Sequence, residues 1–248
     1  MSPELLLGLA LCIFVVALIY SSVGHAGGSG YLAVMALFGV APEQMKPTAL
    51  ALNVLVATIA SVQFVRAGHF RWRLFWPFAL LAVPLAFVGG AISLPAAAFK
   101  TLVGIVLAFA AYSVVTSPRE RPEAKPPALP VALGSGGALG LLAGLTGTGG
   151  GVFLTPLLLL MRWASAKRAA AVSALFILAN SSAGLLGNLW RGGAFPQPAL
   201  ALVGAAALGG ALGSRLGSQR LPATTIKRVL ALVLATAGGK LLWDSLAA

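Results

Sequence analysis

Acidic side chains are nearly missing from this chain. Glu4, Glu43, Glu120, Glu123 and Asp244 are the only five in 248 residues, and each falls at the edge of an apolar segment or in a charged connecting stretch. No carboxylate pair is therefore available inside an apolar segment for acid–base chemistry or a two-metal site. A single cysteine, Cys12, excludes an intrachain disulfide and a cysteine-rich metal centre, and reads as a small core residue. Neither a phosphate-loop lysine motif nor a dinucleotide glycine fingerprint occurs, and no nucleophile is set beside a base and an orienting carboxylate. The expectation is a protein that is not an enzyme and holds no cofactor or metal. The 17 Lys and Arg leave a net charge of +12, but they are scattered among connecting stretches without interleaved aromatics. That pattern excludes a nucleic-acid face and makes the anionic surface of a lipid bilayer the expected partner.

What is abundant is apolar sequence. Hydrophobic residues make up 59% of the chain and charged residues 9%, with a mean hydropathy of +0.96. Two long runs, 5–42 and 126–161, contain no Asp, Glu, Lys or Arg, and shorter charge-free intervals cover 47–65, 74–99, 101–118, 169–190 and 192–214. A last apolar stretch runs from about 229 to 243. The fold class expected is all-α and polytopic, because the strands of a membrane barrel would alternate polar and apolar instead. The first run has no basic leader or small-residue cleavage site, so it is not expected to be removed as a signal peptide.

Each long run is about twice the twenty or so residues that one helix needs to cross hydrocarbon, and each is interrupted at its centre by glycine. The interruptions are Gly24-His25-Ala26-Gly27-Gly28-Ser29-Gly30 and Gly147-Thr148-Gly149-Gly150-Gly151. Each run is thus expected to be a hairpin of two helical segments with a broken tip. The tip exposes backbone N–H and C=O groups, which at membrane depth must be buried in protein or line an aqueous cavity.

The chain also repeats itself. Leu94-Pro95-Ala96 before Lys100 and Val106-Leu107-Ala108 recurs as Leu221-Pro222-Ala223 before Lys227 and Val233-Leu234-Ala235. Arg66-Ala67-Gly68-His69-Phe70 matches Arg191-Gly192-Gly193-Ala194-Phe195, and the glycine tips align. Two membrane repeats, 1–116 and 130–248, are expected around a proline-rich charged linker, 117–129. Each repeat holds a hairpin and three spans, near 45–65, 74–92 and 98–116 in the first and near 168–190, 196–214 and 224–243 in the second. Five segments per repeat place the second upside down relative to the first. With the linker in the cytoplasm, all of the Lys and Arg except Lys46, Lys100, Arg191 and Lys240 fall inside, as the positive-inside rule requires. Both termini are then expected outside.

Tips entering from opposite faces meet near the midplane, where inverted-repeat transporters hold their substrates. At each tip, free N–H groups and the dipole of the following helix favour an anion. The candidate substrate-binding residues are Gly24, His25, Gly27, Gly28, Ser29 and Asn53 in the first repeat and Thr148, Gly149, Gly150, Gly151 and Asn180 in the second. Ser29 and Thr148 offer hydroxyls, and Asn53 and Asn180 offer uncharged amides on the following spans. His25 is the only ionisable side chain in either long run and is the proton-coupling candidate. A neutral histidine bonded to a tip carbonyl is the competing reading. For the polar residues of the later spans, including Ser181, the competing role is hydrogen bonding between helices. A passive anion channel, a carboxylate transporter and a non-transporting assembly subunit remain as alternatives at this point.

The glycine turn leading into an apolar segment, the polar-marked helix and the Arg-x-Gly-x-Phe loop, all occurring twice, resemble the TauE/SafE family of sulfite exporters over nearly the whole chain. The second copy, Gly147 to Gly151 followed by Thr155-Pro156, is the more similar to the family's glycine triplet and proline; in the first, Ala26 and Ser29 interrupt the glycines. The resemblance implies a multi-pass permease of a bacterial inner membrane that moves sulfite or an organosulfonate. Transport direction and self-association into a homo-oligomer are left open by it.

Overall fold

The computed structural model describes residues 3–116, 127–193, 197–217 and the positions 235, 239, 242 and 243. Among the described residues the regular structure is entirely helical, with α1 (Pro3–Ser22), α2 (Gly28–Leu37), α3 (Pro42–Arg66), α4 (Trp72–Ala91), α5 (Ala96–Thr116), α6 (Leu129–Thr146), α7 (Gly151–Leu160), α8 (Ala166–Trp190) and α9 (Gln197–Gly217). Six of these, α1, α3, α4, α6, α8 and α9, contain stretches long and apolar enough to cross a membrane. The expected tenth segment and most of the linker, 117–126, lie outside the described residues.

The duplication in sequence has a counterpart in element length. The second hairpin arms α2 and α7 have 10 residues each, and the long helices α3 and α8 have 25 each. At 1.5 Å per residue, ten residues reach about 15 Å, half the hydrocarbon thickness, whereas 25 reach about 37 Å. Each hairpin thus has one long arm and one that reaches only to mid-depth.

Glycine sets both ends of each break. Gly24 (φ 79°) ends α1 in a left-handed cap, with Gly24 N–H donating to Ser21 O and His25 N–H to Tyr20 O. Gly27 (φ 110°) then opens α2 from a conformation that an L side chain rarely adopts. Gly147 (φ 83°) and Gly150 (φ 82°) play the same two parts between α6 and α7.

The helices do not pack as two sequence halves. α4 lies along α6, where Cβ atoms at Gly136, Gly140 and Gly144 would strike the backbone of Phe78, Ala82 and Ala86 in turn. Such small-residue spacing is how membrane helices bring their backbones together. α9 lies along α1 in the same manner, Gly209 against Phe14 and Gly213 against Leu18. The fourth helix of each half therefore docks on the first helix of the other. Gly89 and Gly90, read from sequence as packing glycines, meet Leu141 on α6 and Gly184 on α8. The equivalent helices α3 and α8 cross in opposite directions: Leu50 reaches Gly184 near one end, while Ala60 and Phe64 cluster with Ala170, Ala171 and Ala174 near the other.

One cation departs from the reading by sequence. Lys46, counted with the connecting stretches, lies in the second turn of α3 and is buried. Its Nζ donates to the carbonyls of Gly89 (3.1 Å), Gly90 (2.8 Å) and Ile92 (2.9 Å) at the C-terminal end of α4. The last carbonyls of a helix lack partners and carry partial negative charge, so an ammonium can be accommodated there without a carboxylate. Arg191 donates from Nη1 to Ala91 O at the same end.

Candidate functional site

The two glycine tips touch. His25 Nε2 lies 3.1 Å from Gly151 O, and because a carbonyl only accepts, that nitrogen carries the hydrogen. Asn53 Nδ2 donates to Gly147 O at 3.2 Å. A Cβ at Gly28 would run into Asn53 Nδ2 and the Thr148 carbonyl, and one at Gly149 would sit 2.8 Å from Ser181 Oγ and 3.0 Å from Asn53 Nδ2. Asn53 lies near the midpoint of α3, and Ile177, which packs on Gly149 and Gly151, near the midpoint of α8. The contact between tips is thus at half-height of the two longest helices.

Local sequence explains what each tip presents. Neither α2 nor α7 has a side chain capping its start, because glycine occupies the capping position. The N–H groups of Ala26, Gly27, Gly149 and Gly150 have no hydrogen-bond partner among the described residues. The segments 24–30 and 147–151 are buried except for His25, which is partly exposed.

The hydroxyls expected as ligand donors are engaged elsewhere. Ser29 Oγ pairs with Tyr20 OH at 3.0 Å, and Thr148 Oγ1 pairs with Thr146 Oγ1 at 3.0 Å. The groups left over are on the long helices. Asn53 Oδ1, both amide atoms of Asn180 and Ser181 Oγ are buried without a partner among the described residues, and all three residues are 0% exposed. Asn180 abuts the second tip, its Nδ2 3.5 Å from a Cβ built on Gly150. A buried polar group without a partner costs about 1–3 kcal/mol, and such groups are rare in native structures, so a cluster of them beside two uncapped helix ends calls for an explanation.

Of the candidate residues, His25, Gly28, Asn53, Thr148, Gly149, Gly150, Gly151 and Asn180 come together. Gly24 and Gly27 shape the first tip from behind, the former against Ala170 and the latter under the ring of Tyr31. Ser29 points to Tyr20. Three residues were not singled out by sequence reasoning. Tyr31 OH donates to Ala26 O at 2.6 Å and holds the first tip closed, Tyr20 holds Ser29, and Ser181 flanks Gly149. The tyrosines carried a signal, since each is within a turn or two of the glycine cluster. Ser181 did not, being one of several hydroxyls on its helix.

The two tips are not alike, since His25 in the first stands where the second has Thr148.

The model of the family described as "Sulfite exporter TauE/SafE" matches residues 9–241. A protein of Sinorhizobium fredii described as a probable membrane transporter is 40% identical over 242 residues, covering 96% of this chain and 98% of that one. A probable membrane transporter of Xylella fastidiosa is 38% identical over 96 residues, 37% of each chain. No solved structure matches. A helical chain with six candidate spans, matched to that family almost end to end, leaves one assignment: the protein belongs to the TauE/SafE sulfite exporter family of membrane transporters.

Proposed function

We propose that this protein is a secondary transporter that carries a small oxyanion, sulfite or an organosulfonate, between its two glycine tips. The observation that carries the reading is the meeting of two uncapped helix N-termini beside Asn180 and Ser181, whose buried side-chain polar atoms lack partners among the described residues, and beside Asn53, whose Oδ1 does too. Tip N–H groups, the Asn180 amide and the Ser181 hydroxyl are donors suited to the oxygens of a sulfonyl or sulfite group. Gly149 and Gly150 matter because a Cβ at the first would press on Ile177, Ser181 and Asn53, and one at the second on Phe176 and Ala143, displacing the groups that line the tip.

The opposite courses of α3 and α8 support an inverted arrangement of repeats 1–116 and 130–248; the bias of Lys and Arg toward the linker's side supports a cytoplasmic linker, and the family supports a bacterial inner membrane. The bonds from His25 to Gly151 and from Asn53 to Gly147 tie the halves together, so passage requires them to open. His25 is the group through which a proton could travel with the anion, since charging its ring would alter that tie.

Counterflow of labelled sulfite and sulfoacetate into proteoliposomes tests the proposal. Saturable exchange, lost in Asn180→Leu and Gly149→Ala, is the expected result. Absence of exchange with every small oxyanion would overturn it, and a conductance indifferent to proton gradients would replace the transporter with a channel. If His25 couples the proton, His25→Gln should retain exchange and lose accumulation driven by an imposed pH gradient.

A further inference from the structure

We infer that the site is matched to a monoanion and discriminates against a dianion of the same shape. The inference rests on the anion reading above and concerns how much charge the site can balance. Each helix N-terminus is equivalent to roughly half a positive charge, so α2 and α7 together supply at most about one, and the C-terminal ends of α1 and α6, which reach the same tips at Gly24 and Gly147, offset part of it. The side chains facing that point add none. Asn53, Thr148, Asn180 and Ser181 are neutral, and neither tip contains Asp, Glu, Lys or Arg.

Among the described residues one cation, Lys46, touches the second tip with its main chain: its carbonyl oxygen is 3.0 Å from a Cβ built on Gly147. Its ammonium is turned away and shares its three hydrogens among Gly89, Gly90 and Ile92. Arg191 is drawn to the same end of α4. The C-terminal half-charge of α4 therefore offsets part of these cations, and they do not add a second donor set at the tips. The titratable groups by the tips are His25, Tyr20 and Tyr31, with Tyr20 bonded to Ser29 and Tyr31 to Ala26 O. The remaining charged side chains on α1, α3, α5 and α8 stand at or near helix ends: Glu4, Glu43, Arg66, Lys100, Lys167 and Arg168.

A monoanion placed between the N-termini is thus the most that the site can compensate, whereas a dianion of the same shape leaves about one further charge unbalanced where little water reaches. The site discriminates by charge in addition to shape, and for a substrate such as sulfite, which exchanges between mono- and dianion near neutral pH, it takes the protonated form. The proton then enters with the substrate whether or not His25 titrates.

Ligand-induced thermal shifts on the purified, full-length protein test this, because a ligand of the folded state raises its apparent stability. Three probes of one shape are compared: methanesulfonate, always a monoanion; sulfate, always a dianion; and methylphosphonate, which passes from mono- to dianion as pH rises through neutrality. Methanesulfonate is expected to bind with little pH dependence and at least about tenfold more tightly than sulfate. Methylphosphonate should match methanesulfonate at low pH and sulfate at high pH, with the change following the second ionisation of the phosphonate itself. Sulfate binding as tightly as methanesulfonate, or methylphosphonate tightening as pH rises, overturns the charge inference and leaves the oxyanion reading standing. Failure of every probe, together with sulfite and sulfoacetate, overturns both.

Discussion

Replacing Asn180 by leucine separates a side chain kept for a ligand from one kept for the fold. The residue is wholly buried on α8, and neither its Nδ2 nor its Oδ1 has a partner among the described residues. If the amide served helix–helix bonding, its loss would destabilise the protein, as removal of a made hydrogen bond does by about 1 kcal/mol. With no bond to lose, the sign reverses. Leucine keeps the four-heavy-atom branched outline though it is bulkier, removes two orphaned polar atoms and adds apolar surface beside Phe176 and Ala143, which also border Gly150. The expected gain is about 1–3 kcal/mol in the absence of ligand, which for a chain of this size is a rise of roughly 3–9 °C in the unfolding midpoint. The same change should abolish both sulfite exchange and the stabilisation that anions give. Both readouts come from one detergent-solubilised sample, by intrinsic fluorescence on heating with and without methanesulfonate. A variant that is less stable than the parent yet still binds would refute the reasoning, since the amide would then be structural.

Other expectations follow from the same contacts. Gly149→Ala and Gly68→Ala both place a Cβ at positive φ, at an expected cost of about 1–2 kcal/mol, but Gly68 has open space around it, whereas Gly149 meets Ile177, Ser181 and Asn53. The difference between them in heat stability should be about 1–3 kcal/mol, and only Gly149→Ala should lose exchange. On α6, Gly140→Leu should prevent accumulation of folded protein by driving α4 away, while Gly134→Leu, with nothing within 4 Å, should leave yield and gel-filtration profile unchanged. Lys46→Met leaves three carbonyls at the end of α4 without their donor and should lower stability by about 1–3 kcal/mol or more, measured by the same heating assay. Reporters that fluoresce only in the cytoplasm should be dark at both termini, and fluorescence at both would reverse the proposed orientation.

Composition and periodic landmarks were enough for the helices, because length in a bilayer is dictated by apolar thickness and a break needs glycine. The span expected near 45–65 is α3 (Pro42–Arg66), and the one near 168–190 is α8 (Ala166–Trp190). Gly24 with Gly27 and Gly147 with Gly150 announced where the hairpins turn, since positive φ at two successive caps leaves few other residues. Which helix lies beside which could not be read, because small residues recur on nearly every segment. The seam Gly136, Gly140 and Gly144 has meaning only once α4 is seen to fill it. Partners were equally hidden. Ser29 and Thr148 looked free in the chain and are satisfied in the fold by Tyr20 and Thr146, whereas Ser181 looked like one hydroxyl among several and is left unpaired at the second tip. A sequence states how many donors and acceptors exist. Whether each is satisfied depends on groups far away in the chain, such as the 126 positions between His25 and Gly151, and only the folded arrangement decides that.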